Sequence, residues 1–374
     1  MLNKLTKRTC FIVLVISAFF IGNPDEFQIT TDPNNQQSPA IYGDYVVWAD
    51  ERNDNSNIYG FNLSIGEEFQ ITTDPSFQMF PAIYGDYVVW EDYRNDNADI
   101  YGYRLSTGEE FQITADPSNQ RSPAIYGDIV VWVDFRDDNS NIYGFNLSTG
   151  EEFRITTDPS FQMFPAIYGD YVVWEDYRNG RCNGGWDIYG YNLVTEEEFR
   201  ITTDPEDQSD PAIYRNVVVW TDDRNDGSDI YGYNLVTEEE FQITTDLRNQ
   251  LQSAIYENIV VWIDRSGRHD VHDPKDEICV YNLSTLKKYQ LIIEGDPELP
   301  AVYGNIVVWG DPRNGNEDIY GYILPPSILQ TSEKPLEEEK REEDEDGGTC
   351  LGTVLIIISL LYLPAYFRKR KQMK

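Results

Sequence analysis

Seven aspartates in this chain stand two places after a tryptophan: Asp50, Asp92, Asp134, Asp176, Asp222, Asp264 and Asp311. Six of them are followed two places later by an arginine, at Arg52, Arg94, Arg136, Arg178, Arg224 and Arg313. Carboxylates repeated in loops could hold calcium, which takes hard oxygen ligands. An arginine beside nearly every aspartate favours charge pairing instead, because guanidinium and carboxylate meet as a two-bond fork. The expectation is a structural ring of Asp–Arg pairs bridging neighbouring repeats. Calcium is the alternative, and no other cofactor is indicated.

Two loops depart from the repeat and carry the remaining candidates. One holds the only two histidines, as His269-Asp270-Val271-His272-Asp273. Two imidazoles and flanking carboxylates could ligate a metal, although a short polar spacing of this kind is unspecific. The other is the insertion Asn179–Trp186, with Arg181 and Trp186. The segments Phe77-Gln78-Met79-Phe80 and Phe161-Gln162-Met163-Phe164 are expected on the same face, as connectors. Aromatics and Met beside Arg are the composition of contact surfaces. The competing reading folds these phenylalanines inward as packing. No Gly-x-Ser-x-Gly elbow, phosphate loop or His-Glu-x-x-His occurs. The reading is therefore a non-catalytic binding protein, with a glycan-processing hydrolase or lyase as the alternative. Paired carboxylates about 5–10 Å apart over an open pocket would favour the enzyme.

The elements that position these residues follow from a period. Val-Val-Trp recurs seven times, ending at Trp48, Trp90, Trp132, Trp174, Trp220, Trp262 and Trp309, with spacings of 42 to 47 residues. A period near 40 marks a repeat architecture. Each repeat holds four short runs, in the second Ala82–Tyr84, Tyr87–Trp90, Asp99–Leu105 and Glu110–Thr114. Gly85-Asp86 suits a type II′ hairpin, and Ser106-Thr107-Gly108 the next reversal. Four such runs make one antiparallel sheet. Tyr87-Val88-Val89-Trp90 leaves no polar side, so each sheet must be covered on both faces. Radially stacked sheets, a β-propeller, satisfy this and close their own edges. The last repeat stops after Tyr322 without its fourth run, whereas Phe27-Gln28-Ile29-Thr30 precedes the first tryptophan. An all-β, seven-bladed propeller of four-stranded blades over 26–325 is expected, with the N-terminal strand completing the last blade. The glycine of Ile-Tyr-Gly-Tyr is expected to admit a neighbouring aromatic ring.

The segments Phe69-Gln70-Ile71-Thr72, Pro81-Ala82-Ile83-Tyr84-Gly85-Asp86 and Asp99-Ile100-Tyr101 resemble the WD40-like repeats of TolB-type propellers. Similar arrays occur in cell-surface proteins of archaea and bacteria. The resemblance runs from about Phe27 to Leu324 and implies fold, not catalytic residues. It departs in blade count, since TolB is similar to a six-bladed ring with an extra N-terminal domain.

The ends of the chain speak to location. Residues 1–23 read as a signal peptide, with Lys4, Lys7 and Arg8 before the apolar run Cys10–Ile21. Residues 326–348 read as an acidic, disordered linker. Residues 350–367 read as a transmembrane helix and 368–374 as a basic cytoplasmic tail. This places the propeller outside the cell, anchored in the membrane. A net charge of −36 argues against nucleic acid and suits a basic partner. Partners are expected to be a protein or a cell-envelope polysaccharide, bound by a monomeric ring. Asn62, Asn146 and Asn282 head Asn-Leu-Ser sequons on the face away from the insertions. None of the four cysteines forms a CxxC pair, and Cys182 and Cys279, two blades apart, are not expected to join.

Overall fold

The computed structural model describes residues 25–52, 55–137, 139–180, 185–225, 227–265 and 275–331. The expected signal peptide, transmembrane helix and basic tail lie outside these residues, as do Arg181, Cys182, His269, Asp270, His272 and Asp273. No helix among the described residues is long and apolar enough to cross a membrane. The described strands form seven antiparallel sheets of four strands each. Blade two is representative, with strands Gln78–Tyr84, Tyr87–Asp92, Asp99–Arg104 and Glu109–Gln112 running from axis to rim.

The doubly apolar second strand explains the stacking. Val88 and Trp90 pack with Val47 and Ile58 of blade one, while Val89 packs with Val130 and Trp132 of blade three. Successive residues of a strand point to opposite faces, so Val-Val-Trp serves two interfaces at once. All seven Val-Val-Trp tryptophans are fully buried. Gly102 leaves room for Phe111, whose ring would lie 2.7 Å from an added Cβ, as expected for this motif.

Closure is also as expected. Glu26–Gln28 forms the outer strand of the sheet containing Trp309, pairing Glu26, Phe27 and Gln28 with Tyr322, Gly321 and Tyr320. Gly85 takes φ 59° in its hairpin, and Arg215 and Glu257 adopt φ 55° and 52° at the matching turns of blades five and six. The innermost strand corrects the sequence reading, since it begins at Gln78 and not Ala82. A bulge between Met79 and Ala82 lets the strand pair beyond the break, Gln78 with Asp92 and Met79 with Glu91. Residues 326–331 correct it too. They were expected to open a disordered linker, yet Ile328 is buried with Ile259 and Leu324.

Candidate functional site

The aspartate ring is a set of closed polar clusters. In blade two, Trp90 Nε1 donates to Asp92 Oδ2 at 3.0 Å. Arg94 grips the same carboxylate with Nε at 2.8 Å, Nη2 at 2.6 Å and its backbone N–H at 3.0 Å. Its Nη1 reaches Glu110 at 2.6 Å, and its guanidinium lies 4.1 Å over the Tyr101 ring, which stacks on Trp90. Bonds to Asp92 hold the guanidinium above its ordinary pKa. The pairing lies within one blade, which corrects the expected bridging between neighbours. A spacing of two brings carboxylate and guanidinium together at one strand end, with no need of the next sheet. Both carboxylate oxygens accept two bonds each, leaving the calcium alternative no free ligand here.

Blades one, three, four and five repeat the cluster around Asp50, Asp134, Asp176 and Asp222. In blade seven Arg313 pairs with Asp311 and with Glu26 at 2.6 Å, so the closing strand supplies the outer acid. Blade six inverts the arrangement. Lys288 stands where Glu110 does in blade two, lies 5.5 Å over the Trp262 ring and bonds Asp264 at 3.2 Å. Cys279 replaces the tyrosine and is a buried free thiol, pushed up to about 12 by desolvation.

The other arrangement is axial. The residue at each innermost-strand bulge takes a left-handed conformation: Ser38, Phe80, Ser122, Phe164, Asp210, Gln252 and Leu299, with φ between 48° and 56°. Non-glycine residues held there cost on the order of 1 kcal/mol each, and the bulge recurs in all seven blades. Together with Pro39, Pro81, Pro123, Pro165, Pro211 and Pro300, and with Ser253 in blade six, they line an axial cavity of about 440 Å³. At the other end of the same strands seven tyrosines ring the axis: Tyr42, Tyr84, Tyr126, Tyr168, Tyr214, Tyr256 and Tyr303. Consecutive ring centroids lie 4.4 to 4.9 Å apart, and the last tyrosine meets the first. Desolvation pushes the Tyr214 phenol up to about 12.

Buried glutamates brace the cavity mouth. Glu91 accepts from the N–H of Ser122 at 2.6 Å, and Glu175 from that of Asp210 at 2.7 Å. Desolvation raises both, Glu175 to about 8. Asp210 opens onto the cavity, yet the protein around it still raises its carboxyl by desolvation. None of this was read from the sequence. Its one available signal was a variable residue before a nearly constant proline in the inner strand.

The expected contact residues divide. Phe77, Phe80, Phe161 and Phe164 are 57, 47, 47 and 48% exposed, so none is folded fully inward between blades. Phe80 and Phe164 line the cavity; Phe77 and Phe161 do not. Met79 and Met163 are half-buried, and Met163 packs against the cluster around Trp174. Trp186 is half-buried, 5.1 Å from the Tyr177 ring, with its backbone N–H donating to Asp207 at 2.8 Å. Asn62 and Asn146 sit half-buried at the turns that end their third strands. Asn282 is corrected as a glycan acceptor: it is buried, and its amide donates to the carbonyls of Ile328 and Gln330. Among the described residues no group of three or more His, Cys, Asp or Glu could hold a metal.

No protein-family model matches the chain, and no curated protein matches it in sequence. Solved structures do match in fold. An oligogalacturonate lyase in complex with manganese is 15% identical with TM-score 0.62, covering 82% of this chain and 94% of that one. The β-propeller domain of the Trilobed protease from Pyrococcus furiosus is 14% identical with TM-score 0.61, covering 78% and 94%. TolB from Acinetobacter baumannii is 16% identical with TM-score 0.51, covering 70% and 67%. The likeness is one of fold: the chain is a seven-bladed β-propeller distantly similar in structure to lyase, peptidase and TolB propellers.

Proposed function

We propose that the chain is a non-catalytic recognition propeller of the cell surface, which binds a protein or an envelope polymer on the face that carries the cavity mouth. The observation that carries this reading is a pair of exposed phenylalanines lining that mouth, Phe80 and Phe164 at 47 and 48% accessible, each three residues after a further exposed phenylalanine, Phe77 and Phe161. Exposed aromatics are costly in water and enriched in contact surfaces. The ring aspartates support the same reading, because each is tied to a base and none is offered to a substrate. The chain is secreted through residues 1–23 and held at the membrane by residues 350–367, with the propeller outside. The basic, apolar, acidic and again apolar-basic order of these segments supports that location. Changing Phe77, Phe80, Phe161 and Phe164 to Ser tests the binding face. Unchanged melting with lost binding to envelope extract is expected. Unchanged binding, or a collapse in melting, would refute it.

One observation favours the second reading, a glycan-processing hydrolase or lyase. Glu175, raised to about 8 beside the cavity, holds the proton that a general acid needs at neutral pH. Turnover of envelope glycans by the wild type, lost in Glu175→Gln, would establish it in place of the recognition reading.

A further inference from the structure

We propose that the axial cavity receives a primary alkylammonium group, the lysine side chain of a polypeptide partner. This rests on the recognition reading above and names the chemistry of its ligand.

Blades five and six break the ring side by side. Asp210 stands where blades one and three carry Ser38 and Ser122 and blades two and four carry Phe80 and Phe164. Its carboxyl makes no hydrogen bond or ion pair with the described residues, and the cavity lining contains no Lys, Arg or His. Next along the ring, Ser253 replaces the proline of the other six blades. Its Oγ is buried and has no hydrogen-bond partner, although the residue faces the cavity. Gln252 uses its side-chain carbonyl to accept from Leu299 N–H at 3.0 Å, which leaves one lone pair over.

An ammonium carries three donors and no acceptor. Asp210, Ser253 and Gln252 offer it a carboxylate, a hydroxyl oxygen and a carbonyl on adjacent blades. An anionic group would meet Asp210 without any cation to offset the repulsion. A neutral alcohol would leave the carboxylate uncompensated, and the surrounding protein already desolvates it and raises its pKa. The rest of the wall suits a methylene stem, with Phe164 next to Asp210, Leu299 next to Gln252, and prolines between. The face of Phe164 also attracts a cation. A volume of about 440 Å³ falls within the roughly 300–1,000 Å³ of small-ligand sites. The net charge of −36 draws cations toward the molecule. The tyrosine ring closes the far end, so entry is from the face with the exposed phenylalanines.

The test uses the full-length chain and two probes, Nα-acetyl-lysine N-methylamide and its Nε-acetylated form, by calorimetric titration. The free amine should bind, and Nε-acetylation should weaken it at least tenfold. Asp210→Ser and Ser253→Pro install residues that other blades already carry at these backbone positions, so melting should hold. The first should weaken binding at least tenfold and the second severalfold. Asp210→Asn is the fallback if the serine variant melts early. No binding of the lysine probe, equal binding of its acetylated form, or unchanged affinity in a folded Asp210 variant would overturn the proposal. Tighter binding of 1,5-diaminopentane than of a lysine-containing peptide would overturn the polypeptide source. Binding of envelope extract that survives Asp210→Ser would sink the cavity proposal and leave the recognition reading standing. Lysine binding without any envelope partner would do the reverse.

Discussion

Replacing Glu175 with Gln should flatten the pH dependence of folding stability. The native carboxyl is buried, accepts one backbone N–H at 2.7 Å, and is pushed by desolvation from 4.5 to about 8. The folded chain therefore holds this proton more tightly than the unfolded chain. Below pH 4.5 both states are protonated and the fold loses nothing. As pH rises from 4.5 to about 8 the unfolded state gains by ionising first, and stability falls. At about 1.4 kcal/mol per pH unit the full loss is at most about 5 kcal/mol. Gln keeps the acceptor for Asp210 but cannot ionise. Burying an amide nitrogen in place of a carboxyl oxygen is taken to cost about 1–3 kcal/mol, the same at every pH. The variant should therefore be weaker than wild type near pH 5 and stronger above pH 8, and the two curves should cross. Urea midpoints measured across this range, with unchanged m-values, give the comparison. Glu91 and Glu317 are raised by the same cause, Glu317 to about 7, and cancel in the difference. A constant gap between wild type and variant from pH 5 to 9 would refute the reasoning.

Other perturbations follow from the same packing. Phe27→Ala removes a buried ring from the closing strand and should cost about 3–5 kcal/mol. Phe69→Ala, which opens no seam in the ring, should cost less, as read by denaturant melts of both. Lys288→Ala leaves Asp264 without its base and should cost about 1–3 kcal/mol in the same assay. Asn282→Gln should expose residues 328–330 to proteolysis, whereas Asn62→Gln should not; equal cleavage of the two would refute the docking role. Truncation after Pro335 should release the ring into the medium, and retention on cells in high salt would contradict the anchor.

What could be read from the sequence was what repetition makes redundant. Seven copies of Val-Val-Trp settle blade number, and the displaced Phe27-Gln28-Ile29-Thr30 settles closure, because both are statements about order along the chain. The partner of each arginine was not legible. A spacing of two residues allows pairing within or between sheets, and only the geometry at the end of the second strand selects the first. The bulge ring was hidden for another reason. Ser, Phe, Asp, Gln and Leu carry no shared turn signature, so a positive φ taken up at the bulge leaves no mark in their types. The contrast between Asn62 and Asn282 was likewise invisible, since identical triplets differ only in what folds over them.

Blade seven has a mechanical consequence. The described chain enters it at residue 25 and leaves the ring beside it, where Asn282 clips the carbonyls of Ile328 and Gln330. Tension applied between these two ends would not be shared evenly by seven blades. It would fall first on the Asn282 clip and then on the seam of three residue pairs between Glu26–Gln28 and its neighbour, backed by Glu26 and Arg313. The seam is therefore the molecule's mechanical fuse. Once it parts, the remaining blades would be free to peel in chain order.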